Sequence, residues 1–439
     1  MSQRNRIIRK GIHLFTGLSL FALTFLLDNF TLLFVILAGS LFAFVSYGFK
    51  QFRLLHKTND HSLGTLFYPL GILSAFILLY RMPGYYFQAS LLVLTVSDTA
   101  ANIFGQIRSG NIYFHPLKEE KSLYGVFGFA AATCIIFYVQ LPDAAIWEFL
   151  VLATLLAVIF EVFSWRGSDN LSIPVGSALF FIVVERHDSD LIYFSALIVV
   201  AAIGSWLLNR LRILDKQASA VAFFLAVYFL GVLGFAWAIL MISFFVTSVL
   251  FTYIRAVRSP KPSASYSRNA WQVLANSIWA IIFSVAWLIT GNTLMIYFYI
   301  SVVAAVTADT WASEIGPVFH RRCFSLYHRR MATSGVNGGI SVAGSLAALA
   351  GSFFIVWLSL NVFGPIVDFR MAVVLTIAGF LASMADSILG AFAESKLEEW
   401  LNTFSFNNKI EANDIVNVLG SLAAPLFLIL GMLMFEIYK

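Results

Sequence analysis

Charged residues are scarce in this chain. Asp, Glu, Lys and Arg make up 12% of its 439 residues, whereas 60% are hydrophobic, and the mean hydropathy is +0.84. Soluble domains carry roughly 25% charged residues, so this composition excludes a soluble globular domain. It predicts an all-α polytopic membrane protein, because long apolar helices satisfy their own backbone hydrogen bonds in lipid.

Several functional signatures are also missing. The two cysteines, Cys134 and Cys323, give neither a disulfide framework nor a metal-binding spacing. The sequence contains no Walker A pattern, no zincin helix and no nucleophile elbow, which excludes those soluble enzyme families. The net charge is +5, but Lys and Arg form no long cluster, so we expect no nucleic-acid partner.

What the chain has instead is a series of apolar runs of about 17–25 residues. Basic residues cluster before the first run and after several even-numbered runs, as at Arg255–Arg268 and Arg321–Arg330. The positive-inside rule makes this side, and therefore the N-terminus, cytoplasmic. The runs predict about fifteen membrane spans, near residues 11–27, 30–48, 62–80, 86–104, 123–140, 146–163, 171–185, 190–208, 218–236, 238–254, 271–290, 293–312, 335–360, 367–389 and 413–437.

One octet occurs twice, at the ends of the fourth and twelfth spans. Residues 98–105 read Asp-Thr-Ala-Ala-Asn-Ile-Phe-Gly, and residues 309–316 read Asp-Thr-Trp-Ala-Ser-Glu-Ile-Gly. Asp, Thr, Ala and Gly recur at the same offsets. Burying an acidic residue in a membrane span is energetically costly, so such residues usually mark a functional site. The copies are eight spans apart, so both acids are predicted to face the cytoplasm. This spacing predicts two parallel, related halves, residues 1–215 and 216–439.

Three further polar sites recur in the same order at cytoplasmic helix ends. They pair Lys121, Ser122 and Gly125 with Gly338, Ser341 and Gly344, Glu161 with Asp386, and Asp169-Asn170 with Asn413-Asp414. Each residue alone has a structural explanation, as a helix N-cap, a close-packed glycine or a lysine that sets topology. Their recurrence as an ordered set favours an active site.

The residue types in these sites suit phosphate chemistry. The helical spacing places Asp98, Asn102 and Gly105 on one helix face. The second octet repeats this spacing at Asp309, Ser313 and Gly316. A carboxylate beside a small polar side chain suits Mg²⁺ that keeps water and phosphate oxygens as ligands. Lysines before a helix start, and the Gly-rich start at residues 335–339, favour anions. These features predict phosphoryl transfer, in which positioning and charge neutralisation dominate.

Both halves resemble known membrane families. The first half resembles the integral-membrane phytol kinase/dolichol kinase family, which is related to the CDP-diacylglycerol synthases. The matching residues are Arg9-Lys10-Gly-Ile-His13, the first octet, Lys121–Gly125, Glu161 and Asp169–Pro174. The second half, from about residue 218, resembles the membrane family that includes phytyl-phosphate kinase. Here the matching residues are the second octet, Gly335–Ser341, Ala385–Ala391 and Asn413–Asn417.

The resemblance implies sequential phosphorylation of a long-chain isoprenoid alcohol of the phytol or geranylgeraniol type, with CTP as donor and Mg²⁺ as cofactor. The first half would make the monophosphate and the second half the diphosphate. The loop charges agree with this order, since residues 106–121 carry a balance of +1 and residues 317–335 a balance of +4. A phosphorylated acceptor meeting a nucleoside triphosphate needs more positive charge than an alcohol does.

The site residues predicted in this way fall into two groups. The predicted catalytic residues are Asp98, Asn102, Lys121, Glu161, Asp309, Ser313, Glu314 and Asp386, of which Asp98 and Asp309 would bind the metal. The residues predicted to bind nucleotide or phosphate are Gly105, Lys118, Ser122, Gly125, Asp169, Asn170, Gly316, Asn337, Gly338, Gly339, Ser341, Asn413, Asp414 and Asn417. His13 is expected to be a packed interfacial histidine rather than a catalytic group.

Two other functions are compatible with these residues. A CTP-using membrane cytidylyltransferase is chemically close to the kinase. A secondary transporter also combines repeats with buried acids, but its site is expected near the bilayer midplane and its repeats are often inverted. No cleavage site follows the first apolar run, and no plastid transit peptide is recognisable. The expected location is therefore a bacterial cytoplasmic membrane with cytoplasmic active sites, and the oligomeric state stays open.

Overall fold

The computed structural model describes most of the chain. The described residues are 3–47, 64–107, 109–115, 120–141, 147–164, 167–186, 191–258, 267–319, 322–326, 329–333, 338–403 and 411–435. They form sixteen α-helices and five short strands. The chain divides into two compact units, residues 1–199 (unit 1) and 200–439 (unit 2).

Helices dominate both units and are strongly apolar. Within the described residues, ten helical segments are long and apolar enough to cross a membrane, and three more apolar helices are shorter. The prediction of an all-α polytopic membrane protein is therefore confirmed. The count of about fifteen spans, the orientation and the relation between the halves stay predictions.

Unit 1 combines packing between sequential helices with packing of one later helix on two earlier helices. Its helices are α1 (Gln3–Leu23), α2 (Asn29–Tyr47), α3 (Gly64–Leu78), α4 (Gly84–Leu92), α5 (Asp98–Gly105), α6 (Leu123–Gln140), α7 (Trp147–Val162), α8 (Asp169–Arg186) and the first part of α9 (Leu191–Arg210). Two strands, β1 (Tyr113–Phe114) and β2 (Lys121–Ser122), pair antiparallel just before α6. α6 packs against α5 and α7, and α8 packs against α3, α4 and α7.

The first octet forms α5, the end of a longer interrupted helix. α4 continues into a π-helical stretch, Val93–Ser97, and α5 begins at Asp98. Such π turns are rare and occur often at functional sites, because they change the direction of the following side chains. Thr133 of α6 donates a hydrogen bond of 2.9 Å to the Ser97 hydroxyl, which fixes the helix immediately before Asp98.

Two glycines bring α5 and the start of α6 together. Ser122 is the N-cap of α6, and its hydroxyl accepts a hydrogen bond of 3.2 Å from the Gly125 backbone N–H. A Cβ at Gly125 would lie 2.9 Å from the Ala101 carbonyl oxygen, and one at Gly105 would lie 2.9 Å from the Ser122 hydroxyl. Close helix packing therefore requires both glycines, as it commonly does in membrane proteins.

Unit 2 surrounds one long central helix. Its helices after α9 are α10 (Lys216–Ala226), α11 (Phe235–Arg258), α12 (Ala270–Thr290), α13 (Thr293–Phe319), α14 (Val342–Val362), α15 (Phe369–Thr403) and α16 (Ala412–Met434). A three-stranded sheet in the order β4-β3-β5 contains β3 (Arg322–Ser325), β4 (Arg330–Thr333) and β5 (Gly339–Ile340). α13 packs against α11, α12, α14, α15 and α16, and the side chains from Phe298 to Ala308 are buried.

The packing at the end of α13 repeats the packing at the end of α5. Ser341 is the N-cap of α14 and accepts a hydrogen bond of 3.1 Å from the Gly344 backbone N–H. A Cβ at Gly316 would lie 3.2 Å from the Gly344 Cα, and one at Gly344 would lie 3.4 Å from the Ala312 carbonyl oxygen. The same N-cap and close glycine packing therefore occur after both octets, and the common origin of the two halves stays a prediction.

Replacing Gly125 with Ala is expected to destabilise unit 1. The added methyl group meets backbone at 2.9 Å, and overpacking of this kind costs about 1–3 kcal/mol. The effect is measured as a lower midpoint of thermal unfolding of the purified protein in detergent. Gly39→Ala is the matched control, because a Cβ at that position of α2 meets no atom within 4 Å. Equal losses in the two variants would contradict the packing argument.

Candidate functional site

Unit 1 contains a polar cavity of about 290 Å³ where five segments meet. α1 contributes Lys10, α5 contributes Asp98 and Asn102, and the β2–α6 junction contributes Lys121. The end of α7 and the start of α8 complete the wall with acidic side chains. In this way residues far apart in the sequence line one space.

Three carboxylates converge in this cavity. Asp98, Glu161 and Asp169 each offer a carboxylate oxygen, and these oxygens lie within 4.8 Å of one another. Asp98 and Glu161 are buried, with exposures of 7% and 6%. Carboxylates this close repel one another in a buried site unless positive charge lies nearby. The oxygen-rich arrangement has the donor set that hard divalent cations prefer.

Two lysines supply positive charge to the same wall. The Lys10 ammonium donates a hydrogen bond of 2.5 Å to Asp98 Oδ2. The Lys121 ammonium donates to Glu161 Oε1 at 2.8 Å and to the Ser164 hydroxyl at 2.9 Å. The other Glu161 oxygen, Oε2, is buried without a hydrogen-bond partner among the described residues. An acceptor position therefore stays open beside the carboxylate cluster.

Most of the site residues predicted in the first half line this cavity. Besides the carboxylates and Lys121, they are Asn102, Gly105, Ser122 and Gly125. Asn170 is not part of this lining, and its amide donates to the carbonyl oxygens of Gly64 and Gly167 at 3.3 Å. Lys118 lies outside the described residues.

Lys10 is the main residue that the sequence analysis missed. It lies 88 residues before Asp98, and its charge was accounted for by the positive-inside rule. The signal was present in the Arg9–His13 motif, since Lys10 and His13 are three residues apart and share a helix face. His13 packs against the Tyr68 ring at 4.2 Å, and its Nε2 lies 3.8 Å from Asp98 Oδ2. Both residues therefore belong to the surroundings of Asp98.

Unit 2 contains a much smaller polar cavity, of about 10 Å³, between α12, α13, α15 and α16. Asp309 of α13 and Asp386 of α15 both line it, and their carboxyl groups interact with each other. Asn417 of α16 lines it as well. The structure thus brings together three of the predicted residues of the second half.

Three other polar residues of this cavity were not predicted. They are Asn276, Ser383 and Ser421. Ser383 precedes Asp386 by three residues and Ser421 follows Asn417 by four, so helical spacing places each pair on one face. That spacing was a usable signal for both serines. Asn276 of α12 belongs to no recurring motif of the sequence and offered none.

The remaining predicted residues of the second octet lie away from this cavity. Ser313 is exposed, and its hydroxyl donates to the Thr310 carbonyl oxygen at 3.1 Å. Glu314 accepts a hydrogen bond of 2.9 Å from the Thr252 hydroxyl and lies 3.5 Å from the Arg255 guanidinium. Gly316 serves the packing of α13 on α14.

Arg268, just before α12, extends the group around Glu314. Its guanidinium donates to the Thr252 hydroxyl at 3.4 Å. Burial lowers the pKa of the Arg268 guanidinium from its usual value, and the Glu314 carboxylate opposes this shift. Together with Arg255, this arginine places Glu314 in an ion-paired group.

The last predicted residues take part in helix starts and loops. Asp414 is buried and accepts a hydrogen bond of 3.0 Å from the Glu411 backbone N–H, forming a capping box at the start of α16. Asn413 is exposed. Gly338 has a φ of +66° and packs against α15 at Ala391. Gly339 lies in β5, Ser341 caps α14, and Asn337 lies outside the described residues.

Comparison with known proteins places the second half of the chain in a membrane family. A family described as integral membrane protein DUF92 matches residues 198–425, just over half of the chain. The uncharacterized membrane protein MJ0933 of Methanocaldococcus jannaschii is 29% identical over 45% of this chain and 82% of its own length. No solved structure matches the chain.

Two proteins of Arabidopsis thaliana also match. Protein VTE6, chloroplastic, is 31% identical over 29% of this chain, and the match covers 36% of its own length. Protein PGR is 30% identical over 36% of this chain, and the match covers 64% of its own length. With the family match over residues 198–425, these findings show that the chain belongs to the DUF92 family of integral membrane proteins.

Proposed function

We propose that this chain is a membrane phosphotransferase that uses CTP to phosphorylate an isoprenoid alcohol and then its monophosphate. The observation that carries the proposal is the unit 1 cavity, where three carboxylates and two lysines converge beside apolar helices. Paired acidic and basic side chains of this kind suit the positioning of a metal-bound triphosphate. The resemblance of the second half to the family that includes phytyl-phosphate kinase supports the second step.

The donor set of the cavity fits Mg²⁺. Asp98, Glu161 and Asp169 provide oxygens only, and Glu161 Oε2 has no partner among the described residues. Mg²⁺ binds through a few carboxylates together with water and phosphate oxygens. When bound, it would neutralise negative charge on the phosphoryl group being transferred.

The lysines would hold the triphosphate. With a cation on Asp98, the Lys10 ammonium is free to turn from that carboxylate to a phosphate oxygen. Lys121 lies directly before α6, whose first backbone N–H groups also favour anions. The cavity of about 290 Å³ suits phosphate groups, whereas the prenyl chain would lie among apolar helices in lipid.

The transfer itself needs no covalent enzyme intermediate. The prenol oxygen would bond to the γ-phosphorus of CTP while the bond from that phosphorus to the bridging oxygen breaks, releasing CDP. The hydroxyl proton would pass to a carboxylate of the cavity. The residues of unit 1 would thus act by binding, orientation and proton acceptance.

The second transfer would use unit 2. Its acceptor is a prenyl monophosphate, so two anions must approach each other there. Arg322 and Arg330 are exposed on the small sheet that precedes α14, and Arg329 lies in the adjoining turn. This cationic sheet would lower the repulsion between acceptor and nucleotide.

Purified full-length protein in detergent tests the proposal, with γ-labelled CTP, Mg²⁺ and a panel of phytol, geranylgeraniol, farnesol and a longer polyprenol. Thin-layer chromatography should show labelled prenyl monophosphate first and diphosphate later, with CDP formed. Labelled inorganic diphosphate without labelled lipid would instead identify a cytidylyltransferase. No labelled lipid from any prenol or prenyl monophosphate would contradict the kinase.

A further inference from the structure

The small cavity of unit 2 is lined mainly by polar residues although it lies within apolar helices. Four helices contribute its polar groups, and these helices are all long and apolar enough to span a membrane. The polar residues that line it are Asn276, Asp309, Ser383, Asp386, Asn417 and Ser421. Polar and acidic side chains are rare in such segments and mark ion or substrate sites when they cluster.

The size of the cavity excludes a phosphate as its occupant in this conformation. Its volume of about 10 Å³ corresponds to a single water-sized sphere. Two carboxyl groups, those of Asp309 and Asp386, meet there, and no Lys or Arg of the described residues is among the lining side chains. In this respect it differs from the unit 1 cavity, where two lysines balance the acids.

The Ser383 hydroxyl is a second, independent indication of a bound ion. Ser383 is 1% exposed, lines the cavity, and its Oγ has no hydrogen-bond partner among the described residues. Leaving a buried hydroxyl unpaired costs about 1–3 kcal/mol. A cation in the cavity would use the lone pair of this oxygen and remove that cost.

The backbone around Asp386 leaves room for its carboxyl group. Gly420 of α16 faces Asp386, and a Cβ at position 420 would overlap the Asp386 side chain. Ser421, the next residue, also lines the cavity. The glycine therefore lets α16 approach closely while Asp386 keeps its place at the cavity.

We propose that unit 2 binds one hard divalent cation in this cavity, in the absence of nucleotide and with few or no water ligands. Asp309 and Asp386 would supply two negative charges, and amide and hydroxyl oxygens would supply neutral ligands. All six lining polar groups offer oxygen, which is the donor of hard cations. The existence of this site is argued from the cavity alone. Its role in the second phosphoryl transfer rests on the proposed function.

Mn²⁺ binding followed by electron paramagnetic resonance tests this site in full-length protein without nucleotide. We expect the wild-type chain to bind one Mn²⁺ in each unit, and Asp386→Asn to lose one of the two. Ser383→Ala should keep that ion but bind it about tenfold more weakly, a loss typical of a contributing group around a metal. In the Asp98→Asn variant, the ion that remains should show few exchangeable water ligands in D₂O.

Ser359→Ala is the matched control, because Ser359 is fully buried in α14 and its hydroxyl donates to the Val356 carbonyl oxygen. It should bind Mn²⁺ as the wild-type protein does. Competition with Mg²⁺ and Ca²⁺ should displace the ion, whereas equally effective displacement by Na⁺ would overturn the divalent assignment. If Asp386→Asn and Ser383→Ala both bind as many Mn²⁺ ions as the wild-type protein, with the same affinity, the proposed site is wrong.

Different results would contradict the proposed cation site and the proposed kinase activity. Loss of one Mn²⁺ in Asp386→Asn, in a protein that transfers no phosphate to any prenol or prenyl monophosphate, would keep the site and reject the function. If the protein makes prenyl diphosphate but Asp386→Asn and Ser383→Ala leave its Mn²⁺ binding unchanged, the proposed function stands and the proposed site is wrong.

Discussion

Asp98→Asn is expected to lower prenyl monophosphate formation by about 100–1,000-fold, the range seen when one charge-stabilising group is removed from an active site. The substitution keeps the shape of the side chain but removes the charge that pairs with Lys10 and completes the carboxylate cluster with Glu161 and Asp169. The loss is measured with labelled CTP and a prenol acceptor, as the initial rate of labelled monophosphate.

The second transfer shows whether the Asp98→Asn variant is folded. When prenyl monophosphate is supplied, Asp98→Asn should still form diphosphate, because the second transfer is assigned to unit 2. Glu185→Gln is the matched control, since Glu185 lies about 24 Å along α8 from Asp169 and accepts a hydrogen bond from the Tyr86 hydroxyl. Normal monophosphate synthesis by Asp98→Asn would remove Asp98 from the mechanism.

Asp309→Asn is expected to make prenyl monophosphate accumulate. The substitution removes one of the two carboxylates of the small unit 2 cavity and leaves the unit 1 cavity intact. Diphosphate formation should fall by about 100–1,000-fold, while monophosphate synthesis from the prenol stays near the wild-type rate. Time courses by thin-layer chromatography, started from prenol and from prenyl monophosphate, measure both steps.

Asp368→Asn is the control for this second variant. Asp368 also belongs to unit 2, but its carboxylate accepts a hydrogen bond from the Met371 backbone N–H at the start of α15. Asn caps helices as well as Asp does, so both steps should proceed normally. Undiminished diphosphate formation by Asp309→Asn would show that the division of labour between the halves is wrong.

Composition and local pattern were enough to predict the membrane class. Apolar runs longer than about 17 residues are typical of membrane-spanning helices, and an Asp inside such a run is unusual. The octets were therefore visible in the sequence. Within unit 1, the predicted acids Asp98, Glu161 and Asp169 share one cavity in the structure.

Helical spacing alone was less informative about the second octet. It placed Asp309 and Ser313 on one face, yet the cavity receives Asp309 together with Asp386 and Asn417, while Ser313 is exposed. The reason is that several helices surround α13, so the direction of each side chain decides which neighbour it meets. That direction depends on how the helices pack.

The sequence by itself determined the apolar class of this protein, its helices and the acids within them, because these depend on composition and on periods of a few residues. Only the tertiary structure decided that Lys10 reaches Asp98 across 88 residues, and that Ser383 lines one cavity with Asp309 and Asp386. It also decided the different sizes of the two cavities, about 290 and 10 Å³. Such features arise from packing between helices distant in the chain, which no local pattern encodes.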